Sequence, residues 1–166
     1  MGLSVQIDGG GKDFEVVTDM IQPGVLADIV DKGMVPNKFK GPGPDGKPAM
    51  QHKCYFVWIV AEEDAEGRNK RVFESFTVSL NEKATLRKRL KDFGLTDAKI
   101  AEMKAAGQTV DLDSYIGTKR LLVLSEEDGQ DGKKFIKVMA TSTLKKGQVA
   151  PDIPSDFTRK QDQKEG

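Results

Sequence analysis

The stretch that decides the fold is His52–Val60, with the sequence HKCYFVWIV. The residues from Tyr55 to Val60 are all aromatic or β-branched, a composition that favours a strand over a helix. Successive side chains of a strand point to opposite faces, so Tyr55 and Trp58 fall on opposite sides and only one of them lies outside. The stretch therefore predicts a strand with two largely apolar faces.

A second strand follows the charged turn 62–70. In the segment Arg71–Leu80, Val72, Phe76 and Val78 alternate with more polar positions, which is the period of two that a strand with one wet face shows. The two strands and the short turn between them predict an antiparallel hairpin.

Periodicity and turn residues predict the other elements outward from this hairpin. They are a strand over Val25–Val30, a loop over Gly41–Pro48, a helix from Asn81 to Phe93, a second helix from Thr96 or Asp97 to Gly107, and strands over Lys119–Leu124 and Lys133–Leu144. The order β1-β2-β3-α-β4-β5 is that of a five-stranded OB-fold, a mainly β barrel that the helix plugs at one end. A different small α+β barrel or sandwich with the same elements is the alternative.

One domain fits a length of 166 residues. We expect an N-terminal arm over 1–22, the OB-fold domain over 23–146 and a flexible tail over 147–166, because the tail is polar and interrupted by proline.

Charge and cysteine content limit the class of protein. The 26 basic and 26 acidic residues cancel, so a nucleic-acid partner must be recognised through local patterning. The single cysteine, Cys54, fits a reducing compartment. No leader pattern and no run of about 20 apolar residues is present, so we expect a cytoplasmic protein with no membrane partner.

The chain offers little material for catalysis. His52 and Cys54 stand two residues apart, but no second His or Cys exists to complete a soft metal site or a catalytic pair. The acidic residues of 62–66 lie in a turn where carboxylates diverge, and the glycine run Gly41–Lys47 contains prolines that remove the amides a phosphate loop needs. We expect no enzyme, no metal and no cofactor.

Exposed rings beside cations are the pattern that binds single-stranded nucleic acid, because the cations contact phosphates and unstacked bases lie on the rings. The predicted nucleic-acid-binding residues are Lys53, Tyr55, Trp58, Arg71, Phe73, Lys134, Phe135 and Lys137. For any one ring, packing in the core is the alternative. On the first helix, Arg87, Lys88 and Lys91 face water and either solvate the helix or contact phosphates.

Four segments resemble a family of bacteriophage and prophage OB-fold proteins regarded as single-stranded DNA-binding proteins. They are PGVLADIVDKG at 23–33, VWI at 57–59, FTVSL with KATLRKRL at 76–90, and LDSYIG at 112–117. The resemblance covers about residues 23–146. It implies a non-enzymatic protein that protects single-stranded DNA during phage replication or recombination in the bacterial cytoplasm.

The tail carries a further similarity. Pro151–Phe157 resembles the acidic, proline-containing tip with which cellular bacterial single-stranded DNA-binding proteins recruit partners, although here residues 158–166 follow it. The resemblance implies phage or host replication and recombination proteins as partners. The candidate contact residues are Asp152, Ile153, Pro154 and Phe157.

The alternative function is a protein-interaction or virion-assembly module that presents the same barrel to another protein and has no affinity for DNA. The two functions differ in their response to salt, since counterion release weakens DNA binding as salt rises. Either kind of protein is compatible with an oligomer.

Overall fold

The computed structural model describes residues 16–37, 43–129 and 132–162. The elements are β1 Ile21–Pro36, β2 Met50–Glu63, β3 Asn69–Thr77, α1 Thr85–Asp92, α2 Asp97–Ala105, β4 Lys119–Asp128 and β5 Lys134–Ser142. Short 3-10 turns occupy Leu112–Tyr115 and Lys160–Asp162. The prediction of a mainly β chain with helices inserted before β4 is confirmed.

The five strands form one antiparallel sheet in the order β3-β2-β1-β4-β5. β1 is its centre, because Val25 pairs with Ile59 of β2 on one side and with Lys119 of β4 on the other. At Gly24 a Cβ atom would lie 2.9 Å from the Leu122 side chain. This close approach of β1 and β4 requires glycine.

β1 is longer than the predicted Val25–Val30. Its register with β2 shifts between Leu26 and Asp28 and again between Asp31 and Gly33, so Ala27 and Lys32 are extra residues in two bulges. A bulge resets which face the following side chains occupy, and the period of two that marks a strand in the sequence is lost.

The main core lies between the inner face of the sheet and α1. Its buried members include Leu26, Phe56, Trp58, Val72, Phe76, Leu86, Leu90, Leu122 and Val138. Phe93, directly after α1, packs its ring against those of Phe56 and Trp58. The predicted apolar stripe of α1 therefore faces the sheet, as amphipathic periodicity requires.

The two helices begin differently from each other. Asn81 is the predicted cap of α1, but the residue before the helix is Ala84. The side-chain amide oxygen of Asn81 instead accepts a hydrogen bond from the Lys83 backbone amide in a preceding turn. In α2 the predicted start at Thr96 is confirmed, since its hydroxyl accepts a hydrogen bond from the Lys99 amide.

The N-terminal segment is tied to the sheet by one carboxylate. Of the predicted arm 1–22, residues 1–15 lie outside the described residues, whereas Val17 packs in the core. Glu62 of β2 accepts hydrogen bonds from the amides of Thr18 and Asp19 at 2.9 and 2.8 Å and pairs with the ammonium of Lys70. Residues 17–22 therefore belong to the packed domain.

Changing Glu62 to Gln should lower the free energy of unfolding at pH 7 by about 2 kcal/mol, the scale of hydrogen bonds to a charged group. Burial alone would raise the pKa of Glu62, but the Lys70 ammonium and the amides of Asp19 and Thr18 outweigh it and lower the pKa from 4.5 to about 2. A lowered pKa stabilises the fold above the unfolded pKa. The difference from wild type should therefore shrink as pH falls from about 4.5 towards 2.

Urea denaturation of wild type, Glu62→Gln and the exposed neighbour Glu63→Gln at several pH values measures this effect. Glu63→Gln should match wild type at every pH. An equal loss in both variants, or a Glu62→Gln difference that does not change with pH, would contradict the assignment.

Candidate nucleic-acid interface

The outer face of β2 and β3 carries four of the predicted residues. Lys53 and Tyr55 lie on β2, and Arg71 and Phe73 lie on the same face of the neighbouring strand β3. The rings of Tyr55 and Phe73 meet edge to face with centroids 6.1 Å apart, and Phe73 is 42% exposed. Alternation along the two strands therefore brings these residues to one surface, as the sequence predicts.

Trp58, predicted as a stacking residue, lies in the core instead. It is 0% exposed, and its indole Nε1 donates a hydrogen bond to Glu74 Oε1 at 3.2 Å. The sequence allowed either Tyr55 or Trp58 to lie outside, and the larger apolar ring is the one that is buried. No base can reach Trp58 while the domain is folded.

A groove runs between β3 and β5, with α1 along its floor. Its volume is about 710 Å³, and Phe73 of β3 and Phe135 of β5 both line it. Phe135 is 49% exposed, and Met139 on the same strand is exposed as well. Two rings that are distant in sequence therefore border one cleft.

Two lysines of the groove have no carboxylate partner among the described residues. Lys88 of α1 and Lys137 of β5 line it, and neither forms a salt bridge in the part of the chain that the structure describes. Lys134, also predicted, does not line the groove and lies 3.3 Å from Glu126. Among the described residues that line the groove, Lys88 and Lys137 are therefore the lysines available to a ligand.

The floor of the groove is a buried ionic network that joins β3, α1 and β5. Arg89 donates to Glu74 Oε2 from Nε and Nη2 at 2.9 and 2.7 Å, to Asp92 at 2.7 Å and to the Val138 carbonyl at 3.3 Å. Burial raises the pKa of Glu74, and the Arg89 guanidinium and the Trp58 indole oppose that rise. The network fixes the two walls of the groove relative to α1.

Sequence reasoning missed this network, although a signal exists. Glu74 occupies the face of β3 that also carries Val72 and Phe76, so a carboxylate stands in an apolar row. A charged group on a buried face requires an oppositely charged or hydrogen-bonding partner. Arg89 lies on the helix that covers this face and is that partner for Glu74.

The tail lies on the outer face of β1 and β2. Ile153 and Phe157 pack against a small second core of Val25, Ala27 and Ile59. The guanidinium of the predicted DNA-binding residue Arg71 lies 5.2 Å from the centre of the Phe157 ring. Asp152 pairs with Lys119, and the Pro154 carbonyl accepts from the Phe157 amide. Of the candidate recruitment residues, Asp152, Ile153 and Phe157 are thus in contact with their own domain.

A buried carboxylate holds this tail in place. Asp28 of β1 is 2% exposed and accepts hydrogen bonds from Arg159 Nε and from the Lys160 amide, both at 2.8 Å. Arg159 also lies 3.2 Å from Asp113. The sequence predicts a flexible tail from its polar composition, but Asp28 must find partners when it is buried, and residues 159–160 provide them.

Arg159→Ala should lower the free energy of unfolding by about 1.5–3 kcal/mol, because Asp28 loses a charged donor while it stays buried. The tail should also become cleavable by protease under native conditions. Lys160→Ala is the matched control, since it keeps the backbone amide that contacts Asp28. Equal stability and equal cleavage rates for the two variants would contradict the role of Arg159.

His52 and Cys54 share the inner face of β2. Burial raises the pKa of Cys54 to about 11, so the thiolate that a nucleophile or a metal ligand requires does not form near neutral pH. His52 Nε2 lies 2.6 Å from Asp31 Oδ1. Within residues 16–37, 43–129 and 132–162, no three His, Cys, Asp or Glu side chains cluster as a metal site would require.

Comparison with protein-family models, with curated proteins and with solved structures gives no match for this chain. The site is therefore interpreted from its own geometry. Among the described residues, no helix has the length and apolar character needed to cross a membrane.

Proposed function

We propose that this protein binds single-stranded DNA with little sequence preference and protects it during phage replication or recombination in a bacterial cell. The observation that carries the proposal is the groove between β3 and β5. Phe73 and Phe135 line it with partly exposed rings, and Lys88 and Lys137 line it without a salt bridge among the described residues. Rings and cations in one cleft suit stacked bases and phosphates.

The strand order supports an OB-fold as the scaffold. In an OB barrel β3 lies beside β5. In this sheet β3 and β5 are the two edge strands. Arg89 reaches both strands, from Glu74 on β3 to the Val138 carbonyl on β5. We therefore propose a barrel that side chains close along this seam, with the groove as its opening.

The rings favour single-stranded over duplex nucleic acid. A base can lie on Phe73 or Phe135 only after it has left its own stack. In a duplex the free energy of unpairing and unstacking that base must be supplied first. Contact through lysines and ring faces carries no information on base edges, so the proposed binding is largely independent of sequence.

Fluorescence anisotropy with a labelled thymidine oligomer of about 16 nucleotides tests the proposal, at two salt concentrations and with duplex DNA as competitor. We expect binding at low salt that weakens steeply as salt rises and that duplex DNA fails to compete. The logarithm of the affinity should fall by about 0.7 per contacted phosphate for each unit in log salt. Absence of binding at low salt would overturn the proposal.

The same groove gives the alternative function a specific basis. Met139, which is exposed, lines the groove together with Phe73 and Phe135, and exposed apolar side chains of this kind also fit another protein. A protein-interaction or assembly module would show no salt-sensitive binding of the oligomer. The anisotropy titration therefore separates the two functions.

A further inference from the structure

A second concave patch lies on the outer face of the sheet, near the end of the β1–β2 hairpin where β1 finishes and β2 begins. Lys32 of β1 and Lys53 of β2 line it with Gln51 and with Ser75 of β3, and its volume is about 220 Å³. Neither lysine forms a salt bridge in the ranges that the structure describes. The patch therefore offers two ammonium groups to an anion.

Lys32 reaches this patch because of a bulge. It is the extra residue where the register of β1 and β2 shifts between Asp31 and Gly33, and Gly33 pairs directly with Lys53. A bulge turns its side chain away from strict alternation. The bulge thus places a second cation beside Lys53 on the outer face.

Ser75 joins this patch to the groove. It lines both concavities and is exposed, with Tyr55 opposite it on β2. Its side chain is small, so the surface stays open between Lys53 on one side and Phe73 on the other. A continuous path leads from Lys32 and Lys53 across Ser75 to the groove.

We infer that one nucleic-acid strand follows this path, with bases in the groove and its backbone crossing Ser75 to reach Lys32 and Lys53. The inference rests on the proposed function and adds two features to it. One is a second phosphate-binding site, and the other is a residue, Ser75, that determines how long a stretch of nucleic acid is bound. Four lysines without carboxylate partners among the described residues, Lys32, Lys53, Lys88 and Lys137, favour a polyanion over an apolar protein segment.

The inference is tested by filling the path at Ser75. Ser75→Ile adds bulk and suits a strand, whereas Ser75→Ala removes the hydroxyl and leaves the path open. Ser142→Ile is the matched control, because Ser142 is an exposed serine of β5 that lines neither concavity. Thermal denaturation should show all three variants folded.

Two labelled thymidine oligomers, of about 4 and about 16 nucleotides, span the range of site sizes on one barrel. Ser75→Ile should weaken the longer oligomer and reduce its salt slope by about 1.4, the value for two lost phosphates. The shorter oligomer should bind to Ser75→Ile with the same affinity as to wild type. The double variant Lys32→Gln with Lys53→Gln should reduce the salt slope of the longer oligomer by the same amount as Ser75→Ile. Combined with Ser75→Ile, it should cause no further reduction.

The outcomes separate the inference from the proposed function. If wild type binds the longer oligomer and Ser75→Ile binds it as Ser142→Ile does, the inference is overturned and the proposed function stands. If Ser75→Ala weakens binding as much as Ser75→Ile, the hydroxyl and not the open path is responsible, and the inference also fails. If wild type binds neither oligomer, both are overturned.

Discussion

Replacing Arg89 by methionine should lower the free energy of unfolding by about 3–5 kcal/mol, the usual result of breaking a buried ion pair from one side. Without Arg89, the Trp58 indole is the one side-chain donor left to Glu74 among the described residues, although Glu74 is almost fully buried. The walls of the groove also lose their bridge, since the Val138 carbonyl loses its guanidinium donor. Urea denaturation at neutral pH measures the change.

Two further variants make this result specific. Lys88→Met changes the preceding residue of α1, which is exposed, and should stay within about 0.5 kcal/mol of wild type. Glu74→Leu combined with Arg89→Met removes both charges and should be more stable than Arg89→Met alone. A loss below about 1 kcal/mol in Arg89→Met would show that the network does not hold the seam.

The double variant Phe73→Ala with Phe135→Ala should bind single-stranded DNA at least about 30-fold more weakly than wild type. Each stacked base is worth ~1–3 kcal/mol, and losses on two separate strands add when they are independent. Both side chains are partly exposed, so the fold should tolerate the changes. Anisotropy with the thymidine oligomer at low salt gives the affinity.

Met139→Ala controls for the loss of apolar surface, because Met139 lines the same groove and has no ring. Its affinity for DNA should stay near that of wild type. If the double variant binds like wild type, or if Met139→Ala weakens binding as much, then stacking on these two rings is not the mode of binding.

Much of the fold follows from the pattern of single strands. The run Tyr55–Val60 and the alternation in Arg71–Leu80 fix the hairpin, since each strand has faces of consistent chemistry. β1 is different, because the bulges at Ala27 and Lys32 break its period. The contacts of the tail with Asp28 depend on residues about 130 positions apart, and no local pattern reports them.

The site was predictable to the extent that it depends on alternation. Phe73 is placed outside because Val72 and Glu74 point inward, and Phe135 because Ile136 packs against the core. The two rings border one groove because β3 and β5 approach each other around α1. This approach is part of the tertiary structure, and the local sequence pattern does not report it. Trp58 was misplaced because both faces of its strand are apolar, and composition could not say which one is covered.

The seam between β3 and β5 has a mechanical consequence. These two strands are the ends of the hydrogen-bonded order among the described residues, and the side chain of Arg89 bridges them. A row of backbone hydrogen bonds would spread their attachment over many residues, whereas here one buried side chain and its partners make the bridge. A single substitution at this position would therefore loosen one wall of the proposed binding groove from the other.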